Sequence, residues 1–194
     1  MLLHIGFDDT DSPSGGCTTY IAALLIDALS GLGARFVDYP NLLRLNPNVP
    51  WKTRGNGAVC LRVDIEESRE EDALRSVLAL VESHADFDCD NTNPGVVFLE
   101  GTVPTGLVEF SERVVRTVVS LDDALKLADE HGASAIGFKN MRGIIGGLAA
   151  VGGLRGTSRS RRSGMVGRRV DHSVWRWKLC GTGPENSSPS TQLI

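Results

Sequence analysis

The stretch from Leu2 to Ser12 limits the architecture more than any other part of the chain. Apolar residues run from Leu2 to Phe7, and Asp8, Asp9 and Asp11 follow at once. Such a run predicts a buried strand that feeds a loop at its carboxyl end, where α/β folds usually bind ligands. Closely spaced carboxylates repel one another unless cations neutralise them, and Mg²⁺ prefers such oxygen ligands. We therefore predict a magnesium site in this loop, with a solvated acidic turn as the alternative.

Short apolar runs alternate with helical spacing of apolar residues along the rest of the chain, in which 41% of residues are hydrophobic. We predict strands over residues 2–7, 35–38, 42–45, 58–65 and 96–99. We predict helices from Thr18 or Thr19 to Gly31 and over residues 70–84, 105–119, 121–131 and 143–151. This alternation indicates an α/β or α+β domain with a mixed sheet.

A glycine pair precedes the first predicted helix. Gly15 and Gly16 lead into Cys17, Thr18 and Thr19. Free N–H groups at a helix start can bind phosphate, and the hydroxyl of Thr18 could then face a phosphoryl group. Glycine is also common before helices that bind nothing. The pair therefore indicates a phosphate site only because the acidic loop lies next to it in the sequence.

A second loop combines cations with flexible backbone. Lys52 and Arg54 are followed by Gly55, Asn56 and Gly57, which offers positive charge and exposed N–H donors in one turn. Triphosphate binding needs this combination, although the spacing is not that of the standard P-loop. A structural hairpin turn is the alternative interpretation.

Charge divides the chain into two parts. The whole chain has 20 basic residues (Lys and Arg) and 24 acidic residues (Asp and Glu). Residues 155–194 contain eight of the basic and two of the acidic residues, so residues 1–154 contain twelve basic and twenty-two acidic residues. An acidic body attracts RNA poorly, because phosphate binding needs clustered positive charge. The basic stretch has no apolar period, and we expect it to be disordered from about residue 155.

Several classes of protein are excluded by simple features of the sequence. No apolar run reaches the roughly 18 residues of a membrane-spanning helix. The four cysteines are far apart and form no Cys-x-x-Cys pair. We therefore expect a cytoplasmic protein with neither a zinc site nor a disulfide framework.

Several long and unusual strings resemble one family, the archaeal 2-agmatinylcytidine synthetases that act on an isoleucine tRNA. The resemblance covers about residues 1–154. Its strings are residues 6–12, 15 with 17–20, 38–40, 44–47, 52–59, 92–95, 142–146 and 148–150.

The resemblance implies a ligase that uses ATP to activate the wobble cytidine of the tRNA and attaches agmatine at its C2 carbon. It implies an N-terminal kinase-like domain over residues 1–138, with ATP and Mg²⁺ at Asp8, Asp9 and Asp11. The phosphorylated threonine of the family matches Thr18. Lys52 and Arg54 would neutralise charge on the phosphates.

The sequence departs from the family after residue 154. Members continue through a ferredoxin-like domain, an OB-fold and a zinc ribbon that hold the tRNA. We expect residues 139–194 to be the truncated start of the second domain, with a truncation or shifted reading frame from about 155 and a basic RNA-binding tail as the rival view. The functional alternatives are an inactive nucleotide-binding remnant and a magnesium-dependent phosphotransferase of another class.

Overall fold

A computed structural model describes residues 1–153 of the chain. The strands of this range are Leu2–Asp8 (β1), Arg35–Phe36 (β2), Asn41–Arg44 (β3), Gly57–Asp64 (β4), Gly95–Glu100 (β5) and Ser134–Gly137 (β6). The helices are Thr18–Gly31 (α1), Glu70–His84 (α2), Thr105–Arg116 (α3), Leu121–Glu130 (α4) and Gly143–Gly152 (α5), with a short 3-10 helix at Glu67–Arg69.

The predicted helices and the five predicted strands are confirmed, with three differences. The strand predicted over residues 35–38 covers only Arg35–Phe36. The third helix ends at Arg116 and not at residue 119, because Thr117 takes an extended conformation with φ −133° and ψ 166°. The last strand, β6, was not predicted.

All six strands form one sheet in the order β2-β4-β1-β5-β6, with β3 beside β4. The expectation of a mixed sheet was wrong, because every strand pair in the described range is antiparallel. The physical reason lies in the middle of the sheet. Helix α2 connects β4 to β5, which run in the same direction, but β1 lies between these two strands and pairs with both. Helix α2 therefore joins two strands that run in the same direction but are not neighbours in the sheet.

Helices cover both faces of the sheet. On one face, α1 and α2 pack on alternate residues of β1, with Leu3, Ile5 and Phe7 fully buried. Apolar residues of α1 recur at helical spacing, as Ile21, Leu25 and Leu29, which is why this sequence forms an amphipathic helix here. On the other face lie α3, α4 and α5, packed around a second apolar cluster.

Helix α5 lies so close to the sheet that backbone touches backbone, in addition to the packing of its side chains. A Cβ atom placed on Gly6 would lie 2.1 Å from the carbonyl oxygen of Gly147. One placed on Gly95 would lie 2.0 Å from the amide nitrogen of Ile144. Glycine is unfavourable inside helices and strands, so its presence at these contacts is explained by the close approach that it allows.

The predicted basic tail from residue 155 and most of the predicted second domain lie outside the described residues. The domain boundary near residue 138 therefore stays a prediction. Among the helices of residues 1–153, none combines the length and the apolar character needed to cross a membrane.

Candidate active site

The acidic loop leaves the sheet at the end of its central strand. Asp8 is the last residue of β1 and pairs with Gly95 of β5. Asp9 turns the chain sharply, with a positive φ of 59°. Thr10 is fully buried, and the backbone carbonyl of Asp11 accepts a 2.7 Å hydrogen bond from the hydroxyl of Thr92. These contacts fix the three carboxylates beside the carboxyl end of β1, in the middle of the sheet.

Two arginines neutralise two of these carboxylates. Arg142, at the start of α5, donates from Nε and Nη2 to Oδ2 of Asp9 at 3.1 and 2.8 Å. Arg54 donates from Nε to Oδ2 of Asp11 at 2.7 Å, and the hydroxyl of Thr53 donates to Oδ1 at the same distance. Cations from distant parts of the chain therefore reduce the repulsion that the acidic loop would otherwise suffer.

Asp8 forms no ion pair within residues 1–153, and its environment favours the neutral form. Burial raises the pKa of Asp8 to about 7, and the charge of Asp9 adds to the effect. Burial also raises the pKa of Asp9, against the opposing charge of Arg142. A cation that entered this site would stabilise the ionised form of both groups.

Thr18 is the first residue of α1 and is buried, with 7% of its surface exposed. Its Oγ1 accepts a hydrogen bond from the hydroxyl of Thr10 at 3.1 Å, which ties the start of the helix to the acidic loop. Gly15 does not reach the cavity described below. It closes a tight turn with Ser12, whose amide donates to the carbonyl of Gly15 at 2.8 Å.

The second loop folds back over the first. Arg54 also donates to the carbonyl of Gly16 at 2.5 Å, so this loop is tied to the acidic loop at two points. Asn56 has a φ of 49°, and its side-chain amide donates to the carbonyl of Asn46 at 2.6 Å. Within residues 1–153, Lys52 forms no ion pair, which leaves its charge available.

These elements surround a cavity of about 750 Å³. Ten of the eleven predicted site residues line it, with Gly15 as the exception. The ten are Asp8, Asp9, Asp11, Thr18, Thr19, Lys52, Arg54, Gly55, Asn56 and Gly57. The volume lies within the range typical of small-molecule sites.

Sequence reasoning missed the apolar wall of the cavity. This wall includes Leu42, Trp51, Ile145 and the segment Thr117–Leu121 that connects α3 to α4. Ser120 was a usable signal, because its side chain accepts from the amide of Asp123 at 3.1 Å and so caps α4. A cap at Ser120 favours an extended chain before it, where the third helix was predicted to continue to residue 119.

Backbone strain is concentrated around the cavity. Asp9, Asn56, Lys139 and Met141 are the non-glycine residues with positive φ in the described part of the chain. The first two line the cavity, and the other two flank Asn140, which also lines it. Each such residue costs on the order of 1–3 kcal/mol, and strain of this kind clusters at functional sites.

The carboxylates suit a cation that arrives with phosphate. In residues 1–153, no three His, Cys, Asp or Glu side chains form a ready-made metal site. Nucleotide-bound Mg²⁺ commonly needs only one or two carboxylates, because the phosphates supply further oxygens. A Cβ atom on Gly146 would lie 1.9 Å from Oδ2 of Asp8, so the glycine leaves the space that this carboxylate occupies.

A family model, the TiaS TCKD domain, matches residues 4–140. The chain is similar to proteins named TiaS, which are 2-agmatinylcytidine synthetases for an isoleucine tRNA. The Pyrococcus horikoshii protein is 52% identical over 152 residues, which is 78% of this chain and 36% of that protein. The Methanocaldococcus jannaschii protein is 43% identical over 157 residues, or 78% and 37%. The chain thus spans about a third of the length of these relatives.

Solved structures give the same match. A crystal structure of TiaS in complex with its isoleucine tRNA and ATP superposes with a TM-score of 0.75 and 37% identity, covering 80% of this chain and 37% of the other. A complex of TiaS with the same tRNA, AMPCPP and agmatine gives a TM-score of 0.73 and 34% identity, with the same coverage.

Proposed function

The chain belongs to the TiaS TCKD domain family, and from that premise we propose that it binds ATP in the 750 Å³ cavity for the modification of an isoleucine tRNA. The reaction attaches agmatine to C2 of the wobble cytidine. One observation carries the proposal. A single cavity collects three carboxylates, a buried threonine hydroxyl and the cations Lys52 and Arg54.

The chemistry assigns a role to each group. The C2 oxygen of cytidine is a poor leaving group, so transfer of a phosphoryl group from ATP to that oxygen must come first. The agmatine amine then forms the C–N bond, the C2–O bond breaks, and phosphate leaves with the oxygen. Lys52 and Arg54 would stabilise negative charge on the phosphates, and Thr18 would face the γ-phosphate.

Asp8, Asp9 and Asp11 would hold Mg²⁺ at the cavity. When bound, the ion would neutralise phosphate charge and orient the triphosphate. The backbone of Gly55, Asn56 and Gly57, with Gly15 and Thr19, would support the phosphates through N–H groups. Gly15 would act indirectly, by shaping the turn that precedes α1.

The proposed domain plan follows the family. Residues 1–138 would form the kinase-like ATP-binding domain, and residues from 139 onward would begin a ferredoxin-like domain. Agmatine and the tRNA would be partners of the whole enzyme in the cytoplasm. In the family, an OB-fold and a zinc ribbon are the domains proposed to hold the tRNA.

ATP labelled at the γ-phosphate tests the proposal. The purified chain is incubated with Mg²⁺ and tRNA, with or without agmatine, and the label is followed. We expect label on the RNA when agmatine is omitted, and inorganic phosphate together with agmatine-modified RNA when it is present. Release of labelled phosphate at the same rate with and without tRNA would instead support a phosphotransferase of another class. ATP binding without any transfer would support the nucleotide-binding remnant.

A further inference from the structure

Arg142 lies at the amino end of α5 and reaches across the site to Asp9, 133 residues earlier in the chain. Its Nε and Nη2 atoms both donate to Oδ2 of Asp9, at 3.1 and 2.8 Å. Its Nη2 atom also donates to the carbonyl of Asn91 at 2.6 Å. One guanidinium therefore joins the acidic loop to the loop that precedes β5.

We infer that Arg142 is a positioning residue, which holds the carboxylate of Asp9 in place for the cation that accompanies ATP. This inference rests on the proposed function. Arg142 would act through Asp9 and would not itself bind the nucleotide. Residues that orient a metal-binding carboxylate influence metal affinity nearly as strongly as the ligands do.

Asp9 needs an external restraint. Its φ of 59° is a conformation that side-chain-bearing residues rarely adopt. Its side chain is 10% exposed and lines the cavity, so open space lies on one side of the carboxylate. Two charge-assisted hydrogen bonds from one guanidinium hold Oδ2 of Asp9 in place and do not occupy Oδ1.

The backbone from which the Arg142 side chain extends is also held in place. The next residue, Gly143, donates its amide to the carbonyl of Asn93 at 2.9 Å. A Cβ atom on Gly143 would lie 2.6 Å from the carbonyl oxygen of Asp8 and 2.3 Å from the amide nitrogen of Gly95. The backbone of α5 is thus in direct contact with the acidic loop. An arginine anchored there has the rigidity that positioning requires.

A double-mutant cycle separates positioning from direct binding. The 194-residue chain is prepared as Arg142→Gln, Asp9→Asn and the double variant, and the affinity for ATP with Mg²⁺ is measured by calorimetry. We expect Arg142→Gln to weaken binding about 10- to 100-fold. The double variant should bind no more weakly than Asp9→Asn alone, because the arginine acts only through Asp9.

Two further variants complete the test. Arg142→Lys keeps the charge but lacks the planar fork, and it should lose most of the affinity that Arg142→Gln loses. Arg75→Gln, on the exposed face of α2, should bind like the wild type. Thermal melting establishes that each variant is folded, and if Arg142→Gln does not fold, Arg142→Lys decides.

The outcomes distinguish a failure of the inference about Arg142 from a failure of the proposed function. Additive losses in the cycle would mean that Arg142 binds the nucleotide directly, and would overturn the inference. Wild-type affinity in folded Arg142→Gln or Arg142→Lys would overturn it as well. A wild-type chain that binds no ATP would refute the proposed function, and the inference would fall with it.

Discussion

The two faces of the sheet are packed by different means. Under α1 and α2, large aliphatic and aromatic side chains fill the space, with Phe7 and Leu25 completely buried. Under α5, glycines let helix and strand backbones touch, and Gly6 and Gly95 have almost no room for a side chain. Side-chain packing is adjustable in small steps, whereas backbone contact is not. Both faces therefore contribute to stability, and the second face also fixes atomic positions beside the candidate site.

The difference matters because the candidate site lies at the edge of the second face. Asp8 sits in the space left by Gly146, and Arg142 begins the same helix. A small shift of α5 would move both. We therefore expect substitutions on either face to lower the stability of the fold, and only those on the second face to lower the affinity for ATP as well.

Gly95→Ala should have the largest effect. Its Cβ atom would meet the peptide bond that joins Gly143 to Ile144, 2.0 Å from the amide nitrogen of Ile144 and 2.3 Å from the carbonyl carbon of Gly143. Neither atom can move without displacing α5, so we expect a loss of more than about 4 kcal/mol, measured by urea denaturation. Gly31→Ala, at the end of α1 with no atom within 4 Å of its Cβ, is the control and should leave stability almost unchanged. A Gly95→Ala protein as stable as that control would refute the distinction between the faces.

Leu25→Ala tests the other face. The side chain is fully buried between α1 and the sheet, and its truncation should cost about 2–5 kcal/mol of unfolding free energy. The affinity of the folded protein for ATP should not change, because α5 and the acidic loop keep their places. The half-buried Leu24 provides a matched control, since Leu24→Ala should cost less. A loss of ATP affinity in folded Leu25→Ala would show that the faces are coupled.

Asp8→Asn should have the smallest effect on stability, and its sign should be favourable. Burial raises the pKa of Asp8 to about 7 in the folded protein, so the folded state binds this proton more tightly than the unfolded state does. Between about pH 4 and about pH 7 the wild type therefore loses stability as pH rises. The asparagine variant avoids that loss. We expect it to be more stable by on the order of 1–3 kcal/mol at about pH 8, and by nothing near pH 4.

Urea denaturation in EDTA across this pH range measures the difference. Asp27→Asn, on the exposed side of α1, controls for the general effect of removing a negative charge. Asp8→Asn should also weaken ATP binding with Mg²⁺, because it removes a proposed ligand. A stability difference that did not grow with pH would contradict the assigned cause.

Local patterns explain which parts of the fold could be predicted. The helices α1 and α2 have apolar residues at helical spacing, and β1 is a short, mostly apolar run, so local sequence indicates their type. Strand β6 was missed because its four residues are all half-buried and do not alternate. The end of α3 was misplaced because Val118 and Val119 continue an apolar pattern, although β-branched residues also favour extended chain.

The site residues also fall into two groups, those that compact sequence motifs indicated and those that tertiary packing brings to the cavity. The three aspartates are neighbours in sequence, and so are Lys52 and Arg54, so two compact motifs indicated most of the cavity. Arg142 and the segment Thr117–Leu121 reach the cavity only through the packing of helices from the other end of the domain. The sequence marks Arg142 only as part of the stretch 139–143 before the last helix, which could contact phosphate, and Ser120 only as a helix cap. That both reach this cavity depends on tertiary contacts.

The central position of β1 has a consequence for the order of assembly. Leu3 pairs with Val63 on one side and with Glu100 on the other, so β1 is synthesised before both of its neighbours. Arg142 is synthesised later still. Pairings between such distant residues form slowly. The acidic loop is therefore synthesised well before the residues that pair with it, and the cavity is complete only when α5 packs on the sheet.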